Sequence, residues 1–190
     1  GTCAQLLNCS SGMHPRYAKY YIRRVRISAT DSLFKMLKNS GIKYFPEVSQ
    51  ENWDSPNTFV LEFPIKSPNN AITRNDITAI QQLEYWKIVK LNYTEMNPSQ
   101  TIYIGKNEWE EVGDWIYNNF DIIGGLSFLP REDSSHIYKL APYNEIQENE
   151  YYKRLKELPD IDFSLLSIYE SNDETFGGVA GCEGGLCEII

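Results

Sequence analysis

Ser99-Gln100-Thr101-Ile102-Tyr103-Ile104 runs into Gly105-Lys106-Asn107, then a helical stretch from Glu108 to Phe120, then Gly124-Gly125-Leu126-Ser127-Phe128-Leu129-Pro130. The first run is β-branched and aromatic, as a strand requires. In the middle, Trp109, Val112, Trp115, Ile116 and Phe120 recur at helical spacing. Leu126 to Leu129 forms a second short strand, stopped by Pro130. Strand, helix and strand in this order predict a parallel pair joined by a right-handed crossover. The fold class is therefore α/β.

The flanking sequence continues the alternation. Thr73 to Asn92 reads as the longest helix, capped by Asn75 or Asp76, with Ile77, Ile80, Leu83, Trp86, Ile88 and Val89 as its apolar face. Thr58 to Ile65 alternates as a strand, with an edge-like end at Pro64. Thr30-Asp31 caps a short helix carrying Leu33, Phe34, Met36 and Leu37, and Gly41 ends it. Downstream, Glu145 to Leu158 is expected to be helical and Phe163 to Tyr169 a strand. Trp86, Trp109 and Trp115 are expected as core anchors. Glu110, Glu111 and Asp114 fall on the polar side of their helix and are read as solvated, not as an acid/base pair.

The chain has 190 residues, 42% of them hydrophobic, enough for one core-bearing domain over 1–170. Residues 171–190 read as a polar, glycine-rich tail. No stretch approaches the ~20 apolar residues of a membrane helix, and the start lacks the basic-then-apolar order of a secretory signal. Four cysteines, two of them near the end, do not make a secreted disulfide framework; a reducing cytoplasm is expected. The net charge of -8 is carried by residues 145–190, where 11 acidic and 3 basic residues stand against a neutral remainder. Such a segment repels a nucleic-acid backbone. The basic run Arg16-Tyr17-Ala18-Lys19-Tyr20-Tyr21-Ile22-Arg23-Arg24-Val25-Arg26 reads as a solvated face or a site for a small phosphate.

Four residues, Gly184 and Gly185 among them, separate Cys182 from Cys187. The glycines let the loop fold back, and a tail gives a thiolate the reach that disulfide exchange needs. Half of a zinc site, a structural disulfide and two unrelated thiols are the alternatives. Cys3 and Cys9 are at the far end of the chain, and His14 and His136 are isolated, so no compact four-ligand set is visible. Cys9 reads as a small buried residue. At the start, Gly1-Thr2-Cys3-Ala4-Gln5 places a small turn at a helix start, where backbone N–H groups can meet a phosphate.

Several stretches together resemble a known family. They are Gly1-Thr2-Cys3-Ala4-Gln5, Ser10-Ser11-Gly12-Met13-His14-Pro15-Arg16-Tyr17, Pro64-Ile65-Lys66-Ser67-Pro68, Asn97-Pro98-Ser99-Gln100-Thr101, Gly124-Gly125-Leu126-Ser127-Phe128-Leu129-Pro130, Ala141-Pro142-Tyr143-Asn144-Glu145-Ile146 and the Cys182/Cys187 tail. In this order they resemble the C-terminal part of the ribonucleotide reductase catalytic subunit, in its class II, adenosylcobalamin-dependent branch. The resemblance implies the last strands and helices of a ten-stranded α/β barrel, with a flexible C-terminal tail. It implies thiyl-radical reduction of a ribonucleotide, a substrate-phosphate loop at Gly1, Thr2, Cys3 and Ala4, and a shuttle dithiol at Cys182 and Cys187. Thioredoxin or glutaredoxin would recharge that dithiol.

Class I members carry adjacent tyrosines where this chain has Ser127 and Phe128. Phe128 has no phenolic proton, which favours a radical made locally by adenosylcobalamin. The family's Asn-x-Cys-x-Glu segment is not in these 190 residues; Cys187-Glu188 has the wrong neighbours. The expectation is a chain inactive alone, working with the N-terminal part of the reductase, which would bind most of the cofactor. A thiol-exchange or interaction module without catalysis is the other reading.

Overall fold

A computed structural model describes residues 2–131 and 139–170. Two compact units divide the chain: one holds the residues up to Arg24 together with Phe63–Leu155, the other Val25–Glu62 with the stretch from Lys156 onward. In chain order the elements are α1 (Thr2–Leu6), β1 (Tyr20–Ser28), α2 (Ser32–Asn39), β2 (Tyr44–Pro46), β3 (Thr58–Lys66), α3 (Ala79–Asn92), β4 (Thr101–Ile104), α4 (Trp109–Asn118), β5 (Ser127–Pro130) and β6 (Tyr143–Glu145), then helices at Glu148–Glu157 and Leu166–Glu170. The α/β class and the parallel β4–β5 pair are as expected.

In the first unit, β4 and β5 pair in parallel, Thr101 with Ser127 through Ile104 with Pro130. Strand geometry sends alternate side chains to opposite faces. Ile102 and Ile104 therefore share one face and pack with Ala79, Leu83 and Trp86 of α3 and Val112 and Trp115 of α4. Trp86 is fully buried and donates its indole N–H to Pro98 O at 2.9 Å, so the largest side chain leaves no orphan donor. Phe128 joins the same cluster. Trp109, expected in the core, is 47% exposed, because it opens the first turn of α4 ahead of the apolar stripe. Glu110, Glu111 and Asp114 are exposed, as read.

Two side chains fix the ends of this unit. The Glu108 carboxylate accepts from Gly105 N at 2.6 Å, from Ala79 N at 3.2 Å and from Arg131 Nη2 at 2.9 Å. It ties the start of α3, the β4–α4 turn and the end of β5 together. Asn97 donates Nδ2 to Gly125 O at 2.8 Å. A Cβ added at Gly124 would lie 2.8 Å from Asn97 Oδ1, so this approach needs glycine.

The long helix starts later than its sequence suggests. Its N-cap is Thr78, in a reciprocal capping box with Gln81. Asn75 and Asp76 do not cap it. Arg16 and Thr73 form a parallel bridge, with Arg16 N donating to Ile72 O and Arg74 N to Arg16 O at 2.8 Å each. That bridge holds the backbone extended. Asp76 is used locally: its carboxylate accepts from Thr73 N and Oγ1, and the hydroxyl bond chiefly holds its pKa below the usual carboxylate value. Ile88 is 59% exposed and does not belong to the buried face.

β6 pairs antiparallel with β1, Tyr21 with Glu145 and Arg23 with Tyr143. This takes Glu145 out of the expected helix, which begins at Glu148. In the second unit, Asp31 caps α2 through Leu33 N, and Gly41 follows with φ +87°. β2 covers β3 only from Phe59 to Leu61, so the edge-like character at Pro64 holds. Val60 and Leu61 are both buried, so β3 is covered on both faces there and does not alternate cleanly. Phe34 stacks on Phe59 at 4.7 Å. Phe163–Tyr169 is not a strand. Asp162 caps Ser164 N, and a 3-10 turn leads into Leu166–Glu170. Tyr169 O accepts from Ser32 Oγ and its phenol from Asn39 Nδ2.

Candidate functional site: a tyrosine-lined cleft beside the N-terminal segment

The N-terminal segment of the first unit turns sharply twice. α1 closes with Leu7 N to Cys3 O and Cys9 N to Ala4 O, and Asn8 takes φ +50°. Gly12 takes φ +56°. His14 then locks the loop: Nδ1 lies 2.8 Å from Ser11 O, and Nε2 accepts from Thr101 N at 3.1 Å. These bonds assign the proton to Nδ1.

Arg16 anchors the segment from below 5% exposure. Its Nε donates to Ser67 Oγ at 3.2 Å, Nη1 to Cys9 O at 2.8 Å and Nη2 to Asn8 Oδ1 at 2.9 Å. Ser67 Oγ in turn donates to Ala18 O at 2.7 Å. One side chain thus joins the Asn8-Cys9 turn to the end of β3. The basic run is therefore not a uniformly solvated face: its first arginine is a buried fastener.

Beyond this anchor opens a cleft of about 230 Å³, lined by Cys9, His14, Tyr17, Tyr21, Tyr103 and Tyr143 among others. Strand parity puts Thr101 and Tyr103 here, on the face opposite the Trp86 core. Tyr17 stacks on Tyr143 at 5.3 Å and meets Tyr21 at 6.0 Å and Tyr103 at 6.5 Å edge-on. The Arg74 guanidinium lies 3.7 Å from the Tyr17 ring centre and bonds Glu145. Burial pushes the Tyr21 phenol up, partly opposed by Arg16, and pushes Tyr103 up, partly opposed by Arg74. Both stay protonated and can donate. The cleft therefore offers aromatic faces, neutral phenol donors and guanidinium charge. This suits a planar, anionic ligand better than proton transfer.

The sequence-derived site residues lie apart from much of this. Thr2, Cys3 and Ala4 are in α1, with Cys3 exposed as a free thiol; Gly1, Cys182 and Cys187 fall outside the described residues. Cys9, expected to be buried, is exposed and lines the cleft, because its carbonyl and not its side chain is held by Arg16. Ser127 is exposed, whereas Phe128 packs into the opposite core. The tyrosines were not singled out from sequence. Their signal was the Tyr17/Tyr21 spacing with Tyr103 on the alternate face of β4. No group of His, Cys, Asp and Glu among the described residues could hold a metal ion.

No known protein-family profile matches the chain. Individual proteins do, along its whole length. An adenosylcobalamin-dependent ribonucleoside-triphosphate reductase of Levilactobacillus brevis is 26% identical, and that of Lactobacillus leichmannii 29%. A Dictyostelium discoideum protein named "Probable adenosylcobalamin-dependent ribonucleoside-triphosphate reductase" is 30% identical. A crystal structure of a B-12 dependent (class II) ribonucleotide reductase superposes on 90% of this chain, with TM-score 0.68 and 26% identity. The chain is homologous to class II ribonucleotide reductases. It spans about a quarter of the length of the reductases it matches, at their C-terminal end.

Proposed function

We propose that this chain is the C-terminal quarter of a class II ribonucleotide reductase and works only with the polypeptide that supplies the other three quarters. The observation that carries this is the match over the whole chain to reductases of one cofactor class, at 24–30% identity. In this reading the β4–β5 pair belongs to a ten-stranded barrel whose other strands come from the rest of the enzyme. The reaction is thiyl-radical reduction of a ribonucleotide to a deoxyribonucleotide. Gly1, Thr2, Cys3 and Ala4 contribute to the loop that holds the substrate phosphates. Cys182 and Cys187, in residues 171–190, re-reduce the active-site disulfide and exchange with thioredoxin or glutaredoxin in the cytoplasm.

Two features of the described residues support a nucleotide here. Tyr103 and Tyr143, the less buried of the four tyrosines, give a base or sugar an aromatic wall to meet. Arg16 brings a positive charge to the cleft wall, and no carboxylate of the described residues pairs with it. The corrin is another matter. Drug-sized ligands occupy pockets of roughly 300–1,000 Å³, so a cleft of about 230 Å³ takes only a base or sugar of a nucleotide, and no corrin. Adenosylcobalamin therefore belongs mainly to the rest of the enzyme.

The test is reconstitution. This chain, a polypeptide carrying the first three quarters of a class II reductase, adenosylcobalamin and a ribonucleoside triphosphate should together yield deoxyribonucleotide, while either polypeptide alone yields none. Failure in every pairing rejects the reading. Cys182→Ser should cut multiple turnovers with thioredoxin more than tenfold and leave the first turnover intact. Unchanged multiple turnover rejects the shuttle.

A further inference from the structure

Lys66 closes β3, and Ser67 after it is held from three directions. Ser67 N donates to Lys19 O at 2.9 Å, and its Oγ accepts from Arg16 Nε and donates to Ala18 O. These bonds fix the end of β3 beside the Asn8-Cys9 turn that Arg16 also holds. Tyr151, from the helix Glu148–Glu157, packs its ring 5.2 Å from that of Tyr20. Together they wall a pocket of about 580 Å³ within the first unit. Arg16 is the one residue that lines both this pocket and the tyrosine cleft.

The charge in this pocket is one-sided. Arg16 and Lys66 line it, with the amides of Asn8 and Asn69, and none of its lining residues is acidic, in a chain of net charge -8. Arg16 is 4% exposed, and its three hydrogen bonds go to a hydroxyl, a backbone carbonyl and an amide oxygen, all neutral. No carboxylate among the described residues pairs with Lys66, whose Nζ lies 5.9 Å from the Tyr20 ring centre, with Lys19 Nζ at 5.6 Å. Glu148, the carboxylate that reaches Tyr20, is bonded to its phenol. A buried cation without a counter-charge is costly, and a concave wall of one sign concentrates its field on what enters. The pocket calls for an anion. Its volume falls within the roughly 300–1,000 Å³ of small-molecule sites, more than a lone phosphate fills. Tyr151 and Ile65 offer the remainder of a ligand an aromatic and an apolar contact.

We propose that this pocket binds an organic phosphate of nucleotide size at a site separate from the tyrosine cleft. The phosphates lie over Lys66 with the Arg16 charge beneath them, and the organic part lies against Tyr151. Asn8 gives its Oδ1 to Arg16, which leaves its amide N–H groups to donate to the ligand. Because Arg16 lines both cavities and holds the Asn8-Cys9 turn, occupancy here bears on the wall of the cleft. The site is built from this chain alone and does not rest on its assignment to a reductase.

A titration of the purified chain tests it. ATP, inorganic tripolyphosphate and adenosine are added separately at low ionic strength while backbone amide shifts are followed. ATP should move the Lys66, Ser67 and Asn69 amides and bind more tightly than tripolyphosphate or adenosine. Lys66→Gln should weaken ATP about tenfold. Asn69→Asp, which puts a carboxylate into the pocket from an exposed position, should weaken it as well. Added salt should weaken it too. Shifts confined to Thr101 and Tyr103 would place the nucleotide in the tyrosine cleft and overturn the proposal, with the reductase reading intact. Tripolyphosphate binding as tightly as ATP would leave Tyr151 no role and overturn the organic part of the ligand. A folded chain whose Lys66, Ser67 and Asn69 amides respond to none of the three probes has no such site.

Discussion

Tyr20 donates its phenol to Glu148 Oε1 at 2.6 Å, beside Tyr151 at 5.2 Å. The bond to Glu148, then burial, raises the Tyr20 pKa from 10.0 to about 12. The folded value lies above the unfolded one. The contact therefore adds stability below about pH 10, and that contribution is lost as pH rises through about 12. Ultraviolet titration should show a late phenolate step, which Tyr20→Phe abolishes and Glu148→Gln moves earlier. A step that stays put in Glu148→Gln rules out the carboxylate as the cause. Single residues were the least legible level of this sequence. His14 looked isolated because its partners are Ser11 O and a backbone N–H 87 positions away. Arg16 looked solvated because its three acceptors are two turn residues and a serine at the end of a distant strand. Such partners are set by tertiary geometry, which spacing does not encode.

At the level of elements, the β4–α4–β5 unit was legible because pattern and packing agree: Ile102 and Ile104 alternate, while Val112 and Trp115 keep helical spacing. The start of α3 was not. Asn75 and Asp76 are both good caps, but the Arg16–Thr73 bridge holds that stretch extended, and Thr78 takes the role. Thr78→Ala removes the acceptor for Gln81 N and should cost about 0.5–2 kcal/mol. A thermal-unfolding series with Asp76→Ala as comparison reads this directly: if the two variants melt alike, the assigned cap is wrong. The Phe163–Tyr169 segment was misread for a related reason. Its apolar residues fit either period over so short a run, and Asp162 decides by capping Ser164 N.

For the whole molecule, the α/β class and the resemblance of the ordered motifs to a reductase segment were readable from sequence, and the matched proteins agree. The described surface adds a physical reason to expect company. Leu6, Leu7, Tyr93, Met96, Tyr117 and Phe120 are each at least 73% exposed. Large apolar exposure on an isolated chain favours association. Light scattering on the purified chain should show concentration-dependent mass above 22.0 kDa, and an ideal monomer at every concentration would contradict this. The hydrogen bond from Asn97 to Gly125 has a consequence for descent. Position 124 has no room for a Cβ while Asn97 holds its neighbour, so neither residue can drift freely: a lineage that gains a side chain at 124 must first shorten 97. A side chain at 124 therefore goes with loss of the Asn97 bond to Gly125 and a different start to β5.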